Sequence, residues 1–322
     1  MLAGHDCALL IEYGCLPVAG ILSDLAMLTN LESNLLARAE VLGIKARTIV
    51  EGLRVGEHRS PYRGFSVEFV QHREYVPGDD IRHIDWKVYG RSERYTIKQY
   101  EQETNFIGHI LLDASRSMLY GEGDSNKLAY AKLLAAVLGY LIVHQRDSAS
   151  LAIFDDKWRT ILPPSSQPGH VTAMLHALET TIPRDKTRIG PLLHEVADKI
   201  RRRGLVFLIS DCFDDVPGLL HGLRHLRFQG HEVTVFHVLH HDELDFPFEG
   251  MVRFEGLEDL DRYLTRPPLI RPAYLRALET FLKELQQGCE ADQCDYVLMD
   301  TSRPLGDALG EYLARRLRVK RL

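Results

Sequence analysis

The sequence predicts an α/β fold in which a mostly parallel sheet carries helices on both faces. Two short apolar runs bounded by polar residues, Ile107–Leu112 and Leu205–Ile209, are typical of buried strands. Segments with helical spacing of apolar residues lie between and after them. Strands that alternate with helices favour a parallel sheet, because each crossover places a helix on one face.

The elements of this sheet follow one another along residues 106–322, which we expect to form one α/β domain. The strand that ends at Asp113 leads to an apolar helix from about 127 to 143. Further strands are expected at 150–154, 159–162, 205–209, 232–239 and 296–299, and further helices near 169–181, 190–203, 216–227, 274–285 and after Pro304.

Two smaller segments precede this domain. Residues 1–55 are expected to be a helical extension, since leucine and alanine recur at helical spacing between 31 and 42. Residues 56–105 are expected to contain strands, because polar and apolar residues alternate around 65–69 and 95–99. The charged and aromatic residues between 73 and 91 are interpreted as a structural ion-pair and turn network, with a binding surface as the alternative.

Composition limits the class of protein. A net charge of −6 over 322 residues gives no support to nucleic-acid binding, which usually needs a strongly basic domain. The five cysteines form no zinc-like pair of pairs and fit a reducing compartment. The apolar run Leu128–Val143 contains Lys132 and is shorter than the ~20 residues of a membrane span. We therefore expect a cytoplasmic protein without a membrane span.

Five oxygen-bearing side chains stand where ligands bind in such folds. Ligands bind at the carboxyl ends of the strands of an open α/β sheet. An all-oxygen set suits Mg²⁺, and five ligands leave one of its octahedral positions open. Mn²⁺ and Ca²⁺ remain alternatives, because cavity size decides between them. The candidate ligands follow the first strand, precede a helix or follow the strand at 205–209: Asp113, Ser115, Ser117, Thr187 and Asp211.

Each candidate ligand also has a purely structural interpretation. Asp113 and Thr187 could cap helices, since their side-chain oxygens accept from free backbone N–H groups. Asp211 could belong to a solvated acidic loop with Asp214 and Asp215. The order of the three segments along alternating strands and helices favours the metal site.

These motifs resemble two known families. Asp113-x-Ser115-x-Ser117, followed by Thr187 and Asp211, resembles the metal-ion-dependent adhesion site of von Willebrand factor A domains. The stretches His58–Phe69 and Arg73–Trp86 resemble the domain of unknown function 58 family, and the likeness runs from about residue 35 to the C-terminus. The resemblance implies a Mg²⁺-dependent, non-catalytic adaptor that works with a MoxR-type AAA+ ATPase and a client protein.

A metal-dependent phosphatase of the haloacid dehalogenase type is the alternative. Such an enzyme would use Asp113 as its nucleophile, and it needs an acid–base carboxylate two residues later. Ser115 stands at that position, and a hydroxyl with a pKa far above neutrality cannot protonate the leaving group unaided.

Overall fold

The computed structural model describes residues 39–50, 68–76, 84–101, 106–255 and 262–319. Its central feature is a six-stranded sheet, and two separate two-stranded sheets accompany it. The strands are β1 (Glu68–Glu74), β2 (Thr96–Glu101), β3 (Ile107–Asp113), β4 (Ser148–Phe154), β5 (Trp158–Ser165), β6 (Leu205–Ser210), β7 (Glu232–Leu239), β8 (Val252–Glu255), β9 (Arg262–Thr265) and β10 (Asp295–Asp300).

Helices connect these strands. The helices of the described chain are α1 (39–50), α2 (Trp86–Ser92), α3 (Lys127–His144), α4 (Pro168–Thr180), α5 (Ile189–Lys199), α6 (Val216–Phe228), α7 (His241–Asp245), α8 (Pro267–Ala291) and α9 (Leu305–Val319). Short 3₁₀ turns at Arg116–Leu119 and Gly123–Ser125 lie between β3 and α3.

The large sheet has the strand order β10-β7-β6-β3-β4-β5. All neighbours in it pair in parallel except β4 with β5, which pair antiparallel. Strand β5 lies at the edge, where Pro163 and Pro164 are tolerated because an edge strand does not need every N–H for the ladder. The expected mostly parallel, doubly wound α/β fold is confirmed.

Alternate residues of the strands enter two separate cores. In β3, Ile110 and Leu112 pack with apolar residues of α1, α3, α4 and α9. Leu111 points to the other face and packs with α5, α6 and α8. This alternation is the period of two of a β-strand, and it covers both faces of the sheet with helices.

The chain leaves the neighbouring strands β3 and β6 in opposite directions, since β4 extends the sheet on one side and β7 on the other. A crevice opens at such a switch point, outside the carboxyl ends of the two strands. Asp113 ends β3, and Asp211 directly follows β6. The topology therefore brings two aspartates to one edge of the sheet.

Several small elements were not expected from the sequence. Helix α2 begins at Asp85, whose carboxylate accepts hydrogen bonds from the backbone N–H groups of Lys87 at 3.0 Å and Val88 at 3.3 Å. Helix α7 and the pair β8–β9 also have no counterpart in the predicted elements. The predicted turn at 77–80 and the leucines at 31–36 lie outside the described residues. The boundaries of the three predicted segments stay a prediction.

Candidate metal centre

Asp113 is completely buried at the end of β3 and is held by neutral donors from three segments. Its Oδ1 accepts from the backbone N–H of Ser115 at 2.9 Å. Its Oδ2 accepts from Ser210 Oγ at 2.6 Å and from Thr187 Oγ1 at 3.2 Å. These bonds orient both oxygens but bring no positive charge to the carboxylate.

Two serines follow Asp113 in the loop between β3 and α3. Ser115 is buried, and its Oγ lies 2.9 Å from Ser117 Oγ. Ser117 is partly exposed at the start of the 3₁₀ turn, so this pair leads from the buried carboxylate toward the surface.

Thr187 is placed by contacts of its loop with its neighbours in space. The backbone N–H of Arg116 donates to the carbonyl oxygen of Asp185 at 3.1 Å. The N–H of Ile189 donates to Asp214 Oδ2 at 2.6 Å, which ties the start of α5 to the loop after β6. The N-cap residue of α5 is Arg188, and the Thr187 hydroxyl bonds to Asp113 instead of capping the helix.

Asp211 is equally buried but has a cationic partner. Its Oδ2 accepts from Lys127 Nζ at 2.8 Å, and the same Nζ donates to Glu243 Oε1 at 2.8 Å. The Lys127 side chain is only 1% exposed, and its ammonium lies 5.1 Å from the centre of the Phe213 ring. The second oxygen, Oδ1, accepts from the backbone N–H of Phe213 at 3.3 Å.

The electrostatics of the two carboxylates are linked. Burial is the main cause that raises the pKa of Asp113 to about 7, and the charge of Asp211 adds to it. Hydrogen bonds from Ser210 and Ser115 oppose this rise. Burial alone would lower the pKa of Lys127, but the carboxylates of Asp211 and Glu243 outweigh it and raise that pKa above its ordinary value.

Lys127 is the first residue of α3, and the N-terminus of this helix lies at the same edge of the sheet. Asn126 caps the helix through Oδ1, which accepts from the backbone N–H of Ala129 at 3.0 Å. Its Nδ2 donates to the carbonyl oxygens of Leu119 at 2.7 Å and Gly121 at 3.1 Å, which closes the preceding loop. The first residue of the helix therefore points its side chain into the crevice between Asp211 and Glu243.

The backbone after β6 takes an unusual conformation. Cys212 is buried and has a φ of 54°, in the left-handed region that non-glycine residues seldom adopt. Its N–H donates to Ser210 Oγ at 2.9 Å, so one hydroxyl links this turn to Asp113. Strain of this kind, of order 1–3 kcal/mol, is typical of functional sites.

The alternative of a solvated acidic loop does not describe Asp211, which is completely buried. Asp214 and Asp215 instead bond to the starts of two helices: Asp214 accepts from the backbone N–H of Ile189, the first residue of α5, and Asp215 caps α6 by accepting from Gly218 N–H at 2.9 Å.

The donor set fits a hard divalent cation in its chemistry, since all five predicted ligands offer oxygen. Hydrogen bonds join Asp113, Ser115 and Thr187, and Ser117 joins them through Ser115. The negative charge of Asp211 raises the pKa of Asp113, and one oxygen of Asp211 accepts a hydrogen bond from Lys127. The assignment of these five residues as ligands stays a prediction.

Three further polar residues of the site were not expected from the sequence: Ser210, Lys127 and Glu243. The signal for Lys127 was Asn126, a helix cap that fixes the start of α3 at this sheet edge. The signal for Glu243 was the spacing from His240, because the two side chains form a capping box at the start of α7.

A family model places the chain among known sequences. The model described as protein of unknown function DUF58 matches residues 71–280. The chain belongs to the DUF58 family. An uncharacterized protein of Mycobacterium tuberculosis, Rv1480, is 25% identical over 253 residues, which cover 76% of this chain and 78% of that protein.

Solved structures resemble this DUF58 protein in fold. BatB from Bacteroides thetaiotaomicron is 17% identical, with a TM-score of 0.42, and covers 66% of this chain and 99% of its own. The VWA domain of SpRpn10 is 15% identical, with a TM-score of 0.37, and covers 63% of this chain and 93% of its own. The mostly parallel sheet with helices on both faces, described above, agrees with the von Willebrand factor A-like fold expected from the sequence.

The expected cytoplasmic location is contradicted. A similar structure is an aerotolerance-related membrane protein from Bacteroides fragilis, 17% identical with a TM-score of 0.40, which covers 66% of this chain and 98% of its own. Another, from Vibrio fischeri, is described as a membrane spanning protein. Helix α3, with 18 residues, is long and apolar enough to cross a membrane by length and composition, although most of it is buried in the core. The helix passes this test of length and composition although it contains Lys132.

The phosphatase alternative is not favoured. Asp113 has no exposed surface, and both its oxygens already accept hydrogen bonds from Ser115, Ser210 and Thr187. A nucleophilic carboxylate must present an oxygen to its substrate. The backbone N–H of Ser115 donates to Asp113 and its hydroxyl pairs with Ser117, so Ser115 does not provide the acid–base group either.

Proposed function

We propose that this DUF58 protein is a metal-dependent protein-binding module, in which a divalent cation at the carboxyl edge of the sheet joins it to an acidic side chain of a partner. The observation that carries the proposal is the convergence of hydroxyls from separate segments on one buried carboxylate, Asp113, at the switch point of the sheet.

Asp113, Ser115, Ser117, Thr187 and Asp211 would hold the cation, with Mg²⁺ as the first choice. The cation supplies a positive charge with an open coordination position, which attracts a further carboxylate. Asp113 contributes charge, and the hydroxyls contribute oxygen ligands without adding more of it. Partly exposed Ser117 lies toward the surface, where the partner's Asp or Glu enters.

Two large apolar side chains are exposed in the loops that carry predicted ligands. Leu119 is 44% exposed in the loop after β3, and Phe213 is 37% exposed in the loop after β6. Large apolar residues beside a polar centre are typical of protein-binding surfaces. The rim therefore supports a protein as the ligand, with the metal-bridged carboxylate at its centre.

Lys127 adjusts the charge of this site. It neutralises part of the negative charge of Asp211 and Glu243, so the cation meets a less negative pair of aspartates. Less negative ligands leave the bound cation a stronger attraction for a further carboxylate from outside.

For the partner, the resemblance implies a MoxR-type AAA+ ATPase, with the DUF58 protein as an adaptor that presents clients for protein or metalloenzyme assembly. This assignment rests on the family resemblance, whereas the metal-bridged contact rests on the residues of the site.

A pull-down from native lysate tests the proposal. Wild type, Ser115→Ala and the control Ser302→Ala serve as bait, each with Mg²⁺ and with EDTA. Ser302 is an exposed serine before α9, outside the site. We expect the same protein to be retained by wild type and Ser302→Ala only with Mg²⁺, and to be lost with Ser115→Ala. Equal retention by all three baits in both buffers would disprove the metal-bridged contact.

A further inference from the structure

Three histidines meet between α5 and α6, apart from the five predicted ligands. His194 Nδ1 on α5 lies 3.0 Å from His225 Nδ1 on α6. The ring of His221 stands edge-on to that of His194, with their centres 4.9 Å apart. All three are at least partly accessible to solvent.

The spacing of these residues places four metal-binding groups on facing helix surfaces. His221 and His225 are one turn apart on α6, and His194 and Asp198 are one turn apart on α5. Residues at this spacing share a helix face, so each helix presents a pair to the other.

Glycines bring the two helices unusually close at this place. A Cβ at Gly190 would lie 2.9 Å from backbone atoms of Gly218, and one at Gly222 would lie 2.7 Å from Leu193 Cβ. The two backbones therefore pack directly against each other. This contact fixes the register in which the histidines of α5 and α6 meet.

The distance between the two nitrogens suits a shared ion. Two nitrogens that bind one tetrahedral Zn²⁺ at their usual distances are about 3.3 Å apart. His194 Nδ1 and His225 Nδ1 are 3.0 Å apart, so this pair needs only a small opening, whereas His221 must turn its ring to bring a nitrogen to the same ion. Burial and the neighbouring His221 and His225 lower the pKa of His194, which favours the neutral imidazole that a metal requires.

A carboxylate lies near the second nitrogen of one of the imidazoles. Asp198 Oδ1 lies 3.7 Å from His225 Nε2, the nitrogen that does not face His194. Metal-binding histidines commonly have such a carboxylate on their second nitrogen, where it orients the ring and raises its basicity.

We propose that His194 and His225 form the core of a binding site for a transition-metal ion that prefers imidazole, such as Zn²⁺, which His221 completes by turning its ring, with Asp198 as a positioning residue. The ion joins α5 to α6. These helices follow the loops of Thr187 and Asp211, so the site connects the two segments that lead away from the candidate metal centre.

Isothermal titration of the full, tag-free chain with ZnCl₂ tests this site, and Co²⁺ absorption reports the ligand type. We compare wild type, His194→Ala, His225→Ala and the control His176→Ala, an exposed histidine on α4. Asp113→Asn separates this site from the candidate metal centre. Circular dichroism of each metal-free variant checks that it is folded.

We expect one Zn²⁺ per chain in wild type, His176→Ala and Asp113→Asn, and binding at least about tenfold weaker in His194→Ala and His225→Ala. Equal Zn²⁺ affinity in wild type and in folded His194→Ala and His225→Ala would overturn the proposal, as would no binding by wild type. Loss of Mg²⁺ binding in Asp113→Asn with Zn²⁺ binding intact would confirm that the two sites are separate.

Discussion

The large sheet has an amino edge, where its parallel strands begin, and a carboxyl edge, where they end. The two edges bury their polar residues in different ways. At the amino edge, His109 of β3 pairs through Nδ1 with Ser150 Oγ at 2.7 Å and lies edge-on to His231. Burial, with the nearby His231, lowers the pKa of His109 to about 4, so it is a neutral group. At the carboxyl edge of the same strand, Asp113 lies near the ion pair of Asp211 and Lys127.

The difference supports our assignment of the function to the carboxyl edge. A neutral, hydrogen-bonded side chain costs far less free energy to bury than a charge, and even paired charges rarely repay their desolvation. The amino edge follows the less costly arrangement. The carboxyl edge instead keeps several charged groups out of water at the switch point of the sheet, which is typical of a binding site.

The largest effect on stability is expected from removing the buried ammonium group of Lys127 at the carboxyl edge. Lys127→Met leaves Asp211 and Glu243 as buried carboxylates without their shared partner. We expect the free energy of unfolding to fall by about 3–5 kcal/mol, measured by urea denaturation. The matched control is Lys199→Met, whose lysine forms an exposed pair with Glu195.

For Lys199→Met the change should stay within about 0.5 kcal/mol, because exposed pairs within a helix contribute little. Similar losses in the free energy of unfolding for the two lysine variants would contradict the difference between the buried carboxyl edge and the surface. Adding Glu243→Gln to Lys127→Met should recover part of the loss, since it removes one uncompensated charge.

A smaller effect is expected at the amino edge, and it depends on pH. The folded protein disfavours protonated His109, whose pKa falls from 6.5 to about 4. The unfolded chain therefore binds more protons between these values, and stability falls as pH drops from 6.5 toward 4. The shift corresponds to about 3 kcal/mol when complete.

Urea denaturation of wild type and His109→Asn at several pH values between 7 and 4.5 measures this contribution. Because asparagine does not titrate, the variant should lose less stability on acidification than wild type. Parallel pH dependences of the two proteins would show that His109 is not held neutral by the fold.

The sequence predicted the sheet edge well because its signals are local. Apolar runs ending in Asp113 and in Ser210-Asp211 mark strand ends, and parallel pairing brings those ends together. Lys127 could not be recognised in the same way, because its partners are 84 and 116 residues away. A lysine is also seldom buried, so helical spacing assigns it to the surface.

Other features depend equally on contacts across the fold. Ser210 ends β6, and its bond to Asp113 spans 97 residues. The histidine pair on α5 and α6 depends on the close glycine contact between the helices, which no periodicity reveals. The expected cytoplasmic location is wrong for a related reason. The length and composition of α3 do not distinguish a core helix from a membrane span.

We propose above that the carboxyl edge binds a divalent cation through Asp113. Calorimetric titration of MgCl₂ into wild type, Asp113→Asn and Asp215→Asn measures this binding. Asp215 only caps α6, and asparagine caps a helix equally well, so this control makes the same chemical change outside the site. We expect one Mg²⁺ to bind wild type and Asp215→Asn, and binding at least about tenfold weaker, or about 1.4 kcal/mol, in Asp113→Asn. Equal Mg²⁺ affinity in Asp113→Asn and wild type, or no binding by wild type, would contradict it.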